Sequence, residues 1–350
     1  MRRMSSKWSD NMNNGSLARL TSAELAQLWM QYMNDSGSIC ILSFFYEKAE
    51  DEEIKSLIKH SLSLSKSHID KLTNIFTEEK HAIPEGFKVE KDVNLQAPRL
   101  YTDLYKLNFI HMMSKIGLAN YSAAYTSTTR ADITDYFREC MTETMELYKV
   151  SKELLLAKGF YIWPPQVSFS SEVEFVKSQK FLYDVIGEKR PLLVCEAENL
   201  FSNLQRNALG DATITGFSQV AQNKDVKEFF VKGIEIAKKH VRLFGDKLME
   251  SNLPVPTTWA AEITESTEFT FSDKLMMYFT SGMIGLSIGY YGTAVAQSPR
   301  VDLSVMYNRL SLEIQLYSED GANIMIKNRW MEQPPMASNR SELAKKNLGE

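Results

Sequence analysis

Cysteine is scarce in this chain, and the little there is has no pattern: Cys40, Cys140 and Cys195 fall at unrelated places and form no Cys-x-x-Cys pair. This argues against a disulfide framework and a zinc site, and a reducing, cytoplasmic setting is expected. Neither sign of charge dominates, with 40 basic and 44 acidic residues and no long Lys/Arg run, so the electrostatic footprint of a nucleic-acid binder is missing. Behind Met1-Arg2-Arg3 come polar Ser, Asp and Asn residues instead of an apolar stretch, so export by a signal peptide is not expected. Nor is there a glycine-rich phosphate loop, a nucleophile elbow or an HExxH motif, which leaves the common enzyme signatures without a representative.

What the chain does have is itself, twice. Lys66-Ser67-His68-Ile69 returns as Lys238-Lys239-His240-Val241, and Ile83-Pro84 as Val255-Pro256, both 172 residues later. The offset then becomes 170, pairing Arg130-Ala131-Asp132-Ile133 with Arg300-Val301-Asp302-Leu303, Glu143 with Glu313, and Pro164-Pro165 with Pro334-Pro335. A period of that size is too long for a solenoid and fits a whole domain, expected to bury its own core.

Each repeat reads as four helices. Thr21-Ser22-Ala23-Glu24 is a capping-box pattern opening the first, which carries Leu25, Leu28, Trp29 and Tyr32 at helical spacing. The second, from about 51 to 80, aligns Ile54, Leu57, Leu64, His68, Leu72 and Phe76 on one stripe. Residues 81–100 hold Pro84, Gly86 and Pro98 and no sustained period. Helices from about 102 to 128 and 131 to 158 follow, the last stopped by Gly159. Short links force helices 1 and 2, and helices 3 and 4, into antiparallel hairpins, and the long middle connection spans the bundle. The second half repeats the plan near 194–221, 224–250, 272–297 and 301–328. The expected fold class is all-α: a tandem pair of ferritin-like four-helix bundles, each with one long crossover between helices 2 and 3. The divisions are a mobile polar arm (1–19), the first bundle (20–165), a linker (166–191) with a short helix near 172–182, the second bundle (192–335) and a tail (336–350).

Pro84-Glu85-Gly86-Phe87, then Asp92-Val93-Asn94 and Ala97-Pro98-Arg99-Leu100-Tyr101-Thr102-Asp103, form a signature, joined later by Phe271-Ser272-Asp273-Lys274-Leu275-Met276-Met277 and Trp330-Met331-Glu332-Gln333-Pro334-Pro335. These resemble a ferritin-like domain-of-unknown-function family of Gram-positive spore formers, often present as two copies in a chain, some of whose members carry a spore-coat label. The resemblance covers residues 20 to 345. It implies a bundle fold and a setting in the spore, with the chain itself or other spore proteins as partners, and no established reaction.

Ferritin-like di-metal centres take a Glu from each of two helices and a Glu-x-x-His from each of the other two. His68 and His240 lie on the inner stripes of their helices, and Glu143 and Glu313 on those of the fourth helices. The position three before each His is Ser65 or Ala237, so Glu-x-x-His is missing, and helix 1 offers Glu47 against Gln219, helix 3 His111 against Ser281. Four metal candidates thus stand, His68, Glu143, His240 and Glu313, and the first reading is two buried polar pairs that fix helix register, with no cofactor. A second reading gives each pair one iron or other divalent ion. Asp103, Asp132, Asp273 and Asp302 stand at helix starts and read as caps. Arg130 and Arg300 are expected to pair with an acid across the bundle.

Leu275–Pro299 runs 25 residues without a formal charge and carries Gly282, Gly285, Gly289 and Gly292 on one face. Its length would suit a membrane span, but it is also the third helix of the second bundle, and the expectation is a buried helix whose glycines admit a close neighbour at the junction of the bundles. Function is accordingly read as a non-catalytic structural or interaction protein associated with the spore or its coat. Metal-binding or redox activity is one alternative, membrane association through 275–299 another.

Overall fold

The computed structural model describes residues 19–168, 170–182, 190–256 and 258–346. All but Arg19 of the expected arm, residues 169 and 183–189 of the expected linker and 347–350 of the tail lie outside them. The first repeat holds α1 (Ser22–Glu47), α2 (Glu52–Glu78), α3 (Asp103–Ser127) and α4 (Ala131–Ala157). The second holds α5 (Val194–Val220), α6 (Lys224–Met249), α7 (Asp273–Gln297) and α8 (Val301–Lys327). Within each repeat the first and second helices pack as one hairpin and the third and fourth as another, and the hairpins close into a bundle. A further short helix, Arg340–Lys346, lies in the tail. Near 172–182 there is only a 3-10 turn, Gln179–Phe181, because Val173 and Phe175 face solvent and no apolar face is covered.

The ends of the helices are fixed locally. Thr21 and Glu24 form the capping box at α1, and Asp51, Thr102, Asn223 and Ser272 cap α2, α3, α6 and α7 with their side chains. Gly159 takes φ +76 where α4 stops, the left-handed turn that glycine adopts without steric cost.

The two crossovers, residues 79–102 and 250–272, run antiparallel against each other. Asn94 N–H donates to the Thr270 carbonyl (2.9 Å) and Ser272 N–H to that of Asp92 (2.8 Å); Thr264 N–H donates to Leu100 (3.0 Å) and Thr102 N–H to Glu262 (3.0 Å). The contacts are reciprocal. Ser272 bonds the Asp92 carboxylate at 2.6 Å, and its copy Thr102 bonds Glu262, the copy of Asp92. Such mutual exchange is the mark of a two-fold interface, here within one chain.

One apolar core consequently takes residues from all eight helices and both crossovers, among them Ile41, Ile54, Leu107, Leu155, Leu200, Val226, Leu275 and Leu303. The expectation that each repeat encloses a core of its own is therefore corrected: the repeats share an interior, because each crossover sends aromatic side chains into the seam. Among the described residues a separate cluster forms at the far end of the first bundle, around Leu28, Leu72, Phe76 and Phe137.

Aromatic packing in the seam shows the symmetry and its limits. Phe44 meets Phe271 edge-on at 5.1 Å. Its copy is Gly216, which leaves room for Tyr101, the copy of Phe271. Tyr101 stacks on Tyr105 at 4.1 Å and donates to the Thr213 carbonyl at 2.6 Å. A Cβ at Gly216 would stand 2.4 Å from the Tyr101 hydroxyl. Gly216→Ala is thus expected to displace this ring and destabilise the protein by about 1–3 kcal/mol, read as a lowered denaturant midpoint. Gly216→Ala combined with Tyr101→Phe should regain part of the loss.

The glycine face of α7 differs from expectation. A Cβ at Gly282, Gly285, Gly289 or Gly292 would meet none of the described residues within 4 Å, so no described helix approaches there. The helix buries its other side, Leu275, Met276, Thr280, Ile284, Tyr291 and Ala294, in the second bundle. No described helix is long and apolar enough to cross a membrane.

Candidate functional site

All four helices of the first bundle converge on His68. The ring is 3% exposed, and its two nitrogens meet two carboxylates on opposite sides: Nδ1 lies 3.2 Å from Asp35 Oδ2 and Nε2 lies 3.1 Å from Glu143 Oε2. Gln31, one turn before Asp35 on α1, donates to the Asp35 carboxylate and, at 2.7 Å, to the Tyr121 hydroxyl on α3. Tyr121 and Tyr136 present ring edges to the imidazole. Burial alone would disfavour the charged ring. The hydrogen bond and charge of Asp35 outweigh it, with the Cys140 sulfur adjacent, and the His68 pKa is raised above the ordinary imidazole value. A carboxylate facing each ring nitrogen fits an imidazolium that donates to both.

The second bundle keeps the His and the Glu and changes the rest. His240 Nε2 lies 3.0 Å from Glu313 Oε2, but Nδ1 faces the Tyr291 hydroxyl at 2.8 Å, and Asn207, the copy of Asp35, donates to that hydroxyl at 2.9 Å. Lys239 neutralises the other Glu313 oxygen. Without a second carboxylate, burial prevails over Glu313 and the His240 pKa is lowered. A neutral ring fits the network: Nε2–H donates to Glu313, and Tyr291 O–H donates to the bare Nδ1.

Both predicted pairs therefore meet, His68 with Glu143 and His240 with Glu313. The ligand set of a di-iron centre is not assembled around either of them. Each ring nitrogen points at a different partner, so the two carboxylates beside His68 stand on opposite sides of the ring and do not share a vertex. Among the described residues no group of three or more His, Cys, Asp or Glu is placed to hold a metal ion. Asp35 and Tyr291 were the residues missed as His partners. The signal for Asp35 was a polar residue one turn after Gln31 on the stripe that also carries Leu28 and Leu42.

A family model for "Protein of unknown function (DUF3231)" matches residues 10–173 and again 180–343. The chain belongs to the DUF3231 family, in two copies. A crystal structure from Bacillus halodurans C-125, described as a "putative spore coat protein", is similar over 43% of this chain and 98% of its own, at 19% identity and a TM-score of 0.38. No curated protein matches the sequence.

Several other charged groups of this DUF3231 protein close on one another. Arg130 grips both oxygens of Asp132 (3.0 and 2.6 Å) and reaches Glu79 at the end of α2. Arg300 repeats the grip on Asp302 at 3.0 and 2.8 Å. Asp132 and Asp302 are thus arginine partners, and Asp132 also faces the backbone N–H groups of the first turn of α4, so the pairing adds to its place at the helix start. Asp103 and Asp273 do cap, but not their own helices. Asp103 accepts from Glu50 and Asp51 N–H at the start of α2 (2.9 and 2.6 Å), and Asp273 from Gln222 and Asn223 N–H at the start of α6 (3.1 and 2.8 Å).

Glu24 and Glu196 each join two helices in the same way. Glu24, fully buried, accepts Thr21 N–H at 2.8 Å as the capping box requires, and with its other oxygen Thr129 and Arg130 N–H, both at 2.8 Å, at the start of α4. Glu196 accepts Leu193 and Arg300 N–H and is also paired with Arg190.

Proposed function

We propose that this protein is a non-catalytic structural or interaction protein, with the spore or its coat as its setting. The observation that carries the reading is the closure of five buried charged and imidazole groups on protein partners. His68, His240 and Glu24 are bonded to partners on other helices, Arg130 to Glu79 at the end of α2 and to Asp132, and Arg300 to Asp302 and the Arg190 carbonyl, an arrangement that fixes how helices sit and leaves no converging pair of these groups free to act on a substrate. The spore setting follows from the family resemblance of the crossover motifs.

Protein purified from its native cell is the material for the test, because recombinant expression can load a foreign metal. Elemental analysis is expected to give well under one equivalent of any transition metal per chain, with stability unchanged by chelator. Near-stoichiometric metal that disappears in His68→Ala would replace this reading with a metal-binding one. Immunoblotting of fractionated spores, with the protein absent from them at every stage, would remove the proposed setting.

A further inference from the structure

Beside His68 lies a partly open cavity of about 100 Å³, and the same place in the second bundle holds one of about 70 Å³. The two are copies: Asp35, Ser38, Ser61, Ser65, Ser114 and Thr144 around the first correspond to Asn207, Gly210, Gly233, Ala237, Ile284 and Ile314 around the second. Their chemistry has gone in opposite directions. Around the second cavity, every hydroxyl is used within the protein: Thr280 donates to Met276, Ser287 to Met283, and Tyr317 to the Phe229 carbonyl. Around the first, Ser114 donates to His111, but Ser38, Ser61, Ser65 and Thr144 make no hydrogen bond with the described residues. Ser65 and Thr144, 7% and 6% exposed, line the cavity together with Ser38 and Ser61.

Glycine, alanine and isoleucine at the matching positions show that the fold does not need hydroxyls there. Hydroxyls without protein partners are met instead by whatever occupies the space beside them, water or a ligand. Charge narrows the occupant. Asp35 and Glu143 share the one positive ring of His68, leaving one negative charge in excess, and Ser67 stands where the second repeat has Lys239 to neutralise the Glu. An anion is repelled by such a site. A cation with several N–H donors is held by the carboxylate and by hydroxyl lone pairs.

We propose that the first-repeat cavity binds a small primary ammonium compound, its nitrogen directed at Asp35 and its remaining atoms among Ser38, Ser61, Ser65 and Thr144. The half-buried Ser38 and Ser61 stand at its mouth. A cavity of about 150 Å³ accommodates benzene, so this one takes about four heavy atoms. The inference goes beyond the proposed structural role and does not depend on it.

Ethanolamine and ethylene glycol are of equal size and differ in charge, which makes them the test pair. Calorimetric titration of the full chain is expected to give one ethanolamine site per chain, with ethylene glycol at least about tenfold weaker. Ser65→Ala keeps every charge and should weaken ethanolamine about tenfold; Thr144→Ile, the residue of the second repeat, should fill the space and abolish binding. Thermal melts report that both variants fold, and Ser65→Ala alone decides if Thr144→Ile does not. No binding of ethanolamine, equal binding of ethylene glycol, or binding untouched by Ser65→Ala would each overturn the proposal.

Discussion

His68→Ala is expected to cost about 3–5 kcal/mol of folding free energy, because it strands the buried Asp35 carboxylate, and with it the half-buried Glu143, without their shared cationic partner. His240→Ala should cost less: the Glu313 carboxylate it leaves behind still has Lys239, and Tyr291 still has Asn207. Denaturant unfolding at neutral pH compares the two, and an equal loss for both would show that the charge difference between the repeats is not real. Their pH dependences should also oppose each other. The His68 pKa is raised in the folded state, so its stabilisation is complete below the unfolded value of about 6.5 and is lost as pH rises through the folded value. The His240 pKa is lowered, so its contribution is present above about 6.5 and is lost as pH falls through the folded value. His68→Gln should therefore flatten the alkaline limb of the stability profile and His240→Gln the acid limb. The imidazole resonances of His68 and His240, read by NMR at pH 7, should show one charged ring and one neutral ring.

Glu24→Ala is the second large expected loss, about 3 kcal/mol or more, since it leaves the Thr21, Thr129 and Arg130 N–H groups without their acceptor at two helix starts in one place. Burial opposes the charge of Glu24, but the N–H groups of Arg130, Thr21 and Thr129 together hold its pKa down at about 2. Stability contributed by this carboxylate is present above the unfolded value of about 4.5 and is lost as pH falls toward 2. Glu24→Gln should retain part of the hydrogen bonding and show a weaker acid dependence than the parent. A loss below about 1 kcal/mol for Glu24→Ala, measured by urea titration, would mean that α4 is capped by something other than this side chain.

The helices were legible because their signals are local. Thr21-Ser22-Ala23-Glu24 fixes one helix start through atoms three residues apart, and Gly159 ends another through a conformation that needs no distant partner. The buried histidines were legible for a related reason, as polar residues on an apolar stripe of period 3.6. Their partners were less so. Asp35 and Asn207 occupy the same position of the same helix, and nothing within either segment states that one will ionise a ring 33 residues away and the other will not. The seam was not legible at all. Residues 81–100 have no period, and their pairing with residues 251–271 depends on a symmetry axis that exists only once both repeats are folded. Glycine spacing on α7 misled because small residues mark a close approach only when a neighbour is there to make it.

The laced crossovers carry a consequence for how the protein came to differ from itself. When two identical subunits meet across a two-fold axis, every substitution is made in both at once, and no subunit can acquire a charge that its mate lacks. Joining the copies in one polypeptide keeps the shared seam and lifts that restriction. Phe44 can face Phe271 while Gly216 yields to Tyr101, and an acid can enter one half while an amide remains in the other. Fusion of this kind lets one lobe specialise while its sibling goes on serving as scaffold.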